Sequence, residues 1–260
     1  MPPVVHPPAA APLTYGSYLR LGELLALQTP LTHSRHEPVF IAVHQCIEIL
    51  WKAAVHLNDR ALADLAARRL DGVPRALAQV CGIIDETTAT SKLLEGLTPL
   101  DFAEFRDALG SASGAQSQQY HLLEKQSGFS RVGHDATVPT LRAAFLGLLV
   151  DEGITAAAHW APSIGLQSAP VDCGPIAALL PLYRDPALTR AARIADALFD
   201  YDNALANFRW HHYQLVQRLI GSAPGTAGTR GLDYLAQTLR LRLFPELTAL
   251  RAGLVQGATR

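Results

Sequence analysis

Cysteine, methionine and charged side chains are all scarce in this chain of 260 residues. It has 3 cysteines and 1 methionine, and charged residues make up 17% of it. The cysteines, Cys46, Cys81 and Cys173, are too few and too widely spaced for a disulfide framework or a CxxC zinc site, which favours a reduced, cytoplasmic setting. Since 49% of the residues are hydrophobic and little charge repulsion opposes collapse, we expect a folded body.

Neither sign of charge dominates the chain. The 22 basic and 23 acidic residues give a net charge of -1. A nucleic-acid binder needs a basic face to meet the phosphates, and no basic run is present. The longest apolar run is about eight residues, at 143–150, whereas about 20 are needed to span a bilayer. We therefore expect no nucleic-acid partner and no transmembrane helix.

The chain opens on a segment rich in proline. Residues 1–13 contain five prolines and lack the cationic start and apolar centre of a secretory signal. This composition is typical of a flexible or extended arm. Nothing further along the chain marks a second domain, so we expect a single domain over residues 14–260.

Apolar side chains recur every three or four residues, which is the pattern of amphipathic helices. One such stretch covers residues 40–57. A second helix is predicted to begin at Thr98-Pro99, because threonine caps a helix and proline is tolerated at its first position. A third is predicted from Asp185-Pro186 to Gly221, a residue that commonly ends helices.

A last helix is predicted over residues 232–254, bent near Pro245. Two stretches rich in glycine, serine and proline, 126–140 and 161–176, are typical of loops. No stretch shows the alternation of a β-strand. The predicted fold class is therefore all-α, a bundle of long helices.

Two histidines occupy positions where the helical pattern calls for leucine. His44 lies four residues after Phe40, and His212 lies four after Phe208. Each could be a core histidine that is hydrogen-bonded to a carbonyl or carboxylate. Two of them on different helices, without cysteine ligands, favour a cofactor between the helices, since neutral imidazole is a good iron ligand and bundles commonly house haem.

Other catalytic and metal patterns are absent or weak. His36-Glu37 resembles the start of HExxH, but Phe40 stands where the second histidine would be. No glutamate precedes a histidine by three residues, which excludes the ferritin-type di-iron pattern. No GxSxG, P-loop or dinucleotide motif occurs. A single zinc ion held by scattered histidines stays open as an alternative.

Arg106 is a charged residue on the apolar side of the helix that contains Phe102 and Leu109. It either extends to solvent or pairs with a carboxylate in a cleft. Two loops rich in small residues, 111–114 and 225–229, could direct backbone N–H groups at an anion, although many loops have this composition.

Taken in order, these segments resemble the tryptophan 2,3-dioxygenase family, haem-dependent enzymes that open the indole ring. The similar motifs are YxxYLxLxxLLxxQ at 15–28, HxExxFIxxHQxxELWFK at 35–52, FLxFRxxLxxxSGFQS at 102–117, WRxxHxxxVxRxxG at 208–221 and GTGG at 225–228. The resemblance implies an all-α haem enzyme that uses O2 to convert L-tryptophan to N-formylkynurenine, with haem b as the cofactor.

The resemblance also assigns roles to single residues. His212 is similar to the proximal histidine that binds the haem iron, and His211 beside it lies off the apolar stripe, which makes it the poorer candidate. His44 is similar to the distal histidine that hydrogen-bonds the indole N–H. Arg106 and Thr226 would bind the carboxylate and ammonium groups of the substrate, where a guanidinium offers two parallel bonds that lysine does not.

Further positions follow from the same motifs. Phe40, Phe102 and Leu109 would line the substrate pocket, and the residues expected on the cofactor side are Ser113, Gly114, Phe208, Arg209 and Gly225. The family pattern implies that Tyr15, Tyr18 and Leu19 reach the pocket of a neighbouring subunit, in an interlocked homotetramer.

The chain departs from these motifs near the expected pocket. Ala115 replaces a phenylalanine, Phe102 a tyrosine and Phe208 a tryptophan. An alternative is therefore a haem-dependent monooxygenase of a methylated tryptophan, or a tyrosine hydroxylase, in natural-product biosynthesis. A haem sensor or carrier is the alternative outside enzymes. Such a protein does not need Arg106 and Thr226 to bind the carboxylate and ammonium groups of an amino acid.

Overall fold

Helices form the whole framework of the computed structural model, which describes residues 12–129, 139–160, 164–165, 176–225 and 231–257. The α-helices in these ranges are α1 (Tyr15–Tyr18), α2 (Leu21–Leu24), α3 (Glu37–Ala66), α4 (Val73–Ser91), α5 (Pro99–Arg106), α6 (Gln118–Ser127), α7 (Leu141–Asp151), α8 (Pro181–Arg184), α9 (Thr189–Ile220), α10 (Leu232–Thr238) and α11 (Pro245–Gly257). The same ranges contain no strand, only an isolated bridge between Phe129 and Ile164. The predicted all-α class is confirmed.

The predicted ends of α5 and α9 follow from local chemistry. The Thr98 hydroxyl accepts a hydrogen bond from the Asp101 N–H, and the Asp101 carboxylate accepts one from the Thr98 N–H, which forms a capping box. Pro186–Leu188 form a 3-10 turn, so α9 begins at Thr189. It ends before Gly221, whose φ of 54° suits glycine.

The prediction of one bent helix over residues 232–254 is wrong, because the chain leaves the helix between α10 and α11. The Asp202 carboxylate on α9 accepts hydrogen bonds from the N–H groups of Leu243 (3.0 Å) and Phe244 (3.2 Å). The buried Arg142 guanidinium donates to the Leu243 carbonyl at 2.7 Å. These tertiary bonds satisfy backbone groups that a continuous helix would have paired internally.

Two hydrophobic cores hold the helices together. The larger core draws on α3, α4, α7, α9 and α11, with the buried side chains Trp51, Leu62, Leu77, Ile84, Phe145, Leu148, Leu198, Tyr201, Leu247 and Leu250 among its members. The smaller core joins the first half of α3 to α5 and to the last turns of α9; it contains Val43, Phe102, Phe105, Leu215 and Leu219. His44 and His212 lie on α3 and α9 at the level where the two cores meet, since Ile47 packs against both.

By length and composition alone, α3 could cross a membrane, which the short apolar runs of the sequence did not lead us to expect. Its most apolar 18-residue window has a mean hydropathy of 1.3, but only 22% of that window is buried in the fold. The helix packs against α4 and α6 in the larger core. Its apolar character therefore extends beyond the side that the core covers.

Candidate functional site

His212 is the one accessible position in an otherwise buried apolar stripe along α9. The other stripe residues, Leu198, Tyr201, Leu205, Phe208, Leu215 and Leu219, are all buried. His212 is half-buried, and no described residue makes a hydrogen bond to its imidazole. The imidazole therefore borders space that the described side chains leave unfilled.

The surroundings of His212 keep its imidazole neutral. Burial lowers its pKa to about 4, and the charges of His44 and His211 contribute to that shift. A neutral imidazole has the free ring nitrogen that a metal ion needs. The Phe208 ring lies parallel to the imidazole, with centroids 5.9 Å apart and planes 6° apart, and it packs edge-on against Trp51 at 4.9 Å. These contacts fix the orientation of the imidazole.

His211 has different surroundings, although it is the next residue. Its side chain is buried, with Nε2 3.6 Å from Glu95 Oε1 on the 3-10 turn that follows α4. Burial lowers the pKa of His211, and Glu95 opposes that shift. The neighbouring Arg218 donates from Nε to the Glu95 carbonyl at 3.1 Å. His211 thus helps to hold α9 against this turn.

His44 is held in one tautomer by its own helix. Its Nδ1 lies 2.8 Å from the Phe40 carbonyl oxygen, and since a carbonyl can only accept, Nδ1 carries the hydrogen. Burial lowers the pKa of His44, while the Phe40 bond and the charge of Glu48 oppose the shift. In the neutral ring, Nε2 is therefore an acceptor with a free lone pair.

Aromatic rings enclose the side of the site around His44. The centroid of Phe40 lies 4.1 Å from that of His44, 5.1 Å from that of Phe105 and 5.8 Å from that of Phe102. Phe102 and Phe105 meet edge to face at 5.3 Å, and the half-buried Leu109 packs against the same cluster. Our residue-level predictions included Phe40, Phe102 and Leu109 but gave Phe105 no role. The feature of the sequence that could have identified Phe105 is its position three residues after Phe102, on the apolar side of α5.

Arg106 follows these rings at the end of α5, where it is half-buried. Its Nη2 donates to the Pro224 carbonyl, which precedes Gly225 in the loop after α9. Among the described residues, no carboxylate lies within ion-pair distance of the guanidinium. Thr226 lies outside the described residues. The structure thus joins Arg106 to the Pro224 carbonyl, two residues before the predicted partner Thr226.

The remaining residues predicted on the cofactor side are spread over several surroundings. Ser113 is half-buried, and its Oγ accepts from the Ala115 N–H at 3.2 Å. A Cβ atom added to Gly114 would meet no heavy atom within 4 Å, so open space adjoins it. Arg209 lies in the core between α6 and α9, with Nη2 3.8 Å from Glu124 Oε1. Its contacts in the described part of the chain therefore tie two helices together.

The N-terminal residues predicted to serve another subunit are exposed. Tyr15, Tyr18 and Leu19 have exposed fractions of 76%, 70% and 41%. Neither tyrosine ring packs against an aromatic ring of the described residues. These side chains are free to contact a partner.

No group of three or more histidine, cysteine, aspartate or glutamate side chains in the described ranges converges as a metal site. The alternative of zinc held by scattered histidines therefore gains no support. A haem iron needs only one axial ligand from the protein, because the porphyrin supplies the others. His212, neutral and bordering unfilled space, meets that requirement.

Comparisons with known proteins agree with the geometry. The model of the family described as tryptophan 2,3-dioxygenase matches residues 5–135 and 173–254. The chain is 35% identical to the tryptophan 2,3-dioxygenase of Caulobacter vibrioides over 94% of this chain and 100% of that relative. It is 33% identical to that of Bradyrhizobium sp. (strain ORS 278), over 93% of each chain, and 31% identical to that of Bacillus thuringiensis subsp. konkukian, over 96% of each.

Proposed function

Because this chain belongs to the tryptophan 2,3-dioxygenase family and is therefore a haem-dependent oxidoreductase, we propose that it inserts both atoms of O2 across the C2–C3 bond of L-tryptophan. The product is N-formylkynurenine. The observation that carries the proposal is that His44 on α3 and His212 on α9 lie close enough to interact electrostatically, each beside an aromatic ring and each with a lowered pKa.

His212 would hold haem b through its free ring nitrogen. The half-buried imidazole and its lowered pKa fit a histidine that binds haem iron on this side of α9. When bound, the haem supplies the binding and activation of O2. Ser113, Gly225, Phe208 and Arg209 remain the further residues that we propose for the cofactor side.

His44 orients the substrate. Its Nδ1–H is occupied by the Phe40 carbonyl, which directs the lone pair of Nε2 toward a donor such as the indole N–H. An indole N–H is a very weak acid, so the bond serves chiefly to position C2 and C3. Phe40, Phe102 and Leu109 hold the ring by apolar contact and exclude water.

Arg106 identifies the substrate as an amino acid. One N–H of its guanidinium donates to the Pro224 carbonyl, and the remaining N–H groups can donate to a carboxylate. Thr226, two residues beyond Pro224, would bind the ammonium and carboxylate groups from the loop. The pair selects α-amino acids over decarboxylated amines of similar shape.

We also propose that the chain works as a cytoplasmic homotetramer. Tyr15, Tyr18 and Leu19 would enter the pocket of a neighbouring subunit, which explains why apolar side chains of this size are left exposed. The site would then be complete only in the assembly.

The test is product analysis with labelled O2. The full chain, reconstituted with haem and reduced, is incubated with L-tryptophan, a methylated tryptophan or L-tyrosine under 18O2, and the products are identified by mass spectrometry. We expect N-formylkynurenine with both labelled atoms, from L-tryptophan in preference to the others. A single labelled atom on an intact ring would establish a monooxygenase instead, and haem binding without turnover of any of the three would indicate a sensor or carrier.

A further inference from the structure

The imidazole of His212 is oriented without a hydrogen bond from any described residue. A histidine that binds a metal usually donates its second ring N–H to a carboxylate or a carbonyl, which fixes the orientation of the ring. At His212 the contact that orients the ring is the parallel stack on Phe208, one turn earlier on α9. Side chains that hold Phe208 in place therefore also hold the imidazole.

Phe208 is one of three aromatic rings that meet from three helices. Trp51 on α3 packs edge-on against it at 4.9 Å, and the ring centroid of Tyr120 on α6 lies 5.6 Å away. The centroids of Trp51 and Tyr120 are 5.3 Å apart. Because protein interiors are close-packed, each of these rings restricts the movement of the other two.

A buried ion pair lies beside Tyr120. Arg209 and Glu124 are 4% and 2% exposed, and Arg209 Nη2 lies 3.8 Å from Glu124 Oε1. Burial raises the pKa of Tyr120, the charge of Glu124 raises it further, and the charge of Arg209 opposes the shift. The ring of Tyr120 thus packs against Phe208 while both charges of the ion pair act on its hydroxyl.

We propose that Tyr120 is a positioning residue for His212: the Arg209–Glu124 pair holds the Tyr120 hydroxyl, and the Tyr120 ring holds Phe208 parallel to the imidazole. This inference rests on the proposed role of His212 as the haem ligand. Arg209, which we proposed for the cofactor side, acts there through these rings. A buried ion pair adds little stability compared with apolar residues of the same volume, so the fixing of one side-chain arrangement accounts for its presence.

Other bonds hold α6 in place, so the effect of the Tyr120 hydroxyl can be measured by itself. The hydroxyl oxygens of Ser127 on α6 and Tyr201 on α9 are 2.6 Å apart. The Gln126 amide on α6 donates to Asp59 Oδ1 on α3, also at 2.6 Å. A variant that lacks only the Tyr120 hydroxyl keeps both bonds, and α6 stays packed against α3 and α9.

The first experiment compares Tyr120→Phe with the matched control Tyr201→Phe. Both variants lose one hydroxyl from the interior, but Tyr201 is not among the described rings that contact Phe208. Haem titration gives the Kd, and resonance Raman spectroscopy of the ferrous protein gives the iron–histidine stretching band. Since residues that orient a metal ligand typically contribute roughly 10–100-fold to metal affinity, we expect Tyr120→Phe to raise the haem Kd about 10-fold and to broaden the band.

The control should keep the Kd and the band of the wild type, even where its stability falls. Urea unfolding measures the stability of both variants, and circular dichroism verifies that they are folded. A role of Tyr120 in stability alone would lower the unfolding midpoint and leave the haem Kd and the band unchanged, which would overturn the proposal.

The second experiment tests whether the effect passes through Phe208. Phe208→Leu keeps an apolar side chain but removes the ring that stacks on the imidazole. In that background, Tyr120→Phe should cause no further change in the haem Kd, because the two residues act on His212 in series. The same 10-fold effect in both backgrounds would overturn the proposed route.

His212→Ala separates failure of this inference from failure of the proposed function. If that variant loses haem while Tyr120→Phe binds it like the wild type, only the positioning role is refuted. If that variant keeps stoichiometric haem, the ligand assignment is wrong and this inference fails with it. Product analysis of the wild type is independent of both, because haem affinity and the iron–histidine band are measured without turnover.

Discussion

Burial, together with the charge of His44 on α3, lowers the pKa of His212 on α9 to about 4. The two residues come from the first fifth and the last fifth of the chain, yet their imidazoles are close enough to interact electrostatically. Both imidazoles are neutral near pH 7, but their ring nitrogens differ in hydrogen bonding. The ring of His212 is free of hydrogen bonds to described residues, while that of His44 is held at Nδ1 by the Phe40 carbonyl.

Replacing His212 with alanine should abolish stoichiometric haem binding, because the axial ligand is lost while the helix around it remains. The measurement is a haem titration followed by absorption spectroscopy, with circular dichroism as the check on folding. His211→Ala is the matched control and should retain the five-coordinate histidine spectrum. The opposite result, with haem lost only from His211→Ala, would move the ligand by one residue, which is about 100° around the helix.

Arg106→Leu should raise KM for L-tryptophan by roughly 10²–10³-fold, since a buried carboxylate left without its charge-assisted partner costs roughly 2–5 kcal/mol. Steady-state kinetics with L-tryptophan and tryptamine measure this effect. Arg184→Leu, an exposed arginine on α8, is the control and should behave as wild type. If tryptamine already reacts as well as tryptophan in the wild type, Arg106 does not bind the carboxylate.

His44→Ala should lower kcat for L-tryptophan by roughly 10–100-fold and leave haem binding unchanged, because the residue positions the substrate and does not hold the iron. In the wild type, 1-methyltryptophan should react more slowly, since it lacks the N–H that Nε2 accepts. In the alanine variant the two substrates should become equivalent. A variant that keeps the full preference for the unmethylated substrate would contradict this role.

Phe105→Ala should destabilise the protein by about 3–5 kcal/mol and also raise KM, because this ring is 1% exposed and supports both Phe40 and Phe102. Urea unfolding gives the stability and kinetics give KM. Phe105→Leu, which keeps most of the volume, should lose much less of both. Normal KM in the alanine variant would show that the wall of the pocket does not depend on Phe105.

Asp202→Asn should become more stable relative to wild type as pH rises from about 4 to 7. Burial raises the pKa of Asp202, although hydrogen bonds from Leu243 and Phe244 oppose the shift. The folded state therefore binds more protons than the unfolded state above the ordinary aspartate pKa, and wild-type stability falls through that window as the carboxyl ionises. Asparagine keeps an acceptor oxygen without the charge. Urea unfolding of both proteins across this pH range checks the trend, and a difference independent of pH would contradict it.

The sequence alone predicted the elements whose signals are local. The capping box at Thr98 and the glycine after α9 act within one or two turns of the chain, so the start of α5 and the end of α9 occur where the sequence predicts them. The break between α10 and α11 was missed because its cause is Asp202, a residue on a different helix. Single-sequence patterns carry no information about such partners.

The candidate site likewise has some features that the sequence predicts and others that depend on tertiary packing. Helical spacing by itself determined that His44 and His212 belong to buried stripes and that Arg106 lies at the end of an apolar face. The helix itself sets the tautomer of His44, because the Phe40 carbonyl lies one turn before it. Only the tertiary structure decided that the ring of His212 has no hydrogen bond to a described residue and that Arg106 contacts the Pro224 carbonyl.

The tertiary structure also decided that Phe105 packs against Phe40 and that Arg209 lies against Glu124. The physical reason is that periodicity fixes the direction of a side chain on its own helix. Its neighbours, its burial and therefore its protonation state depend on how helices distant in the chain pack together.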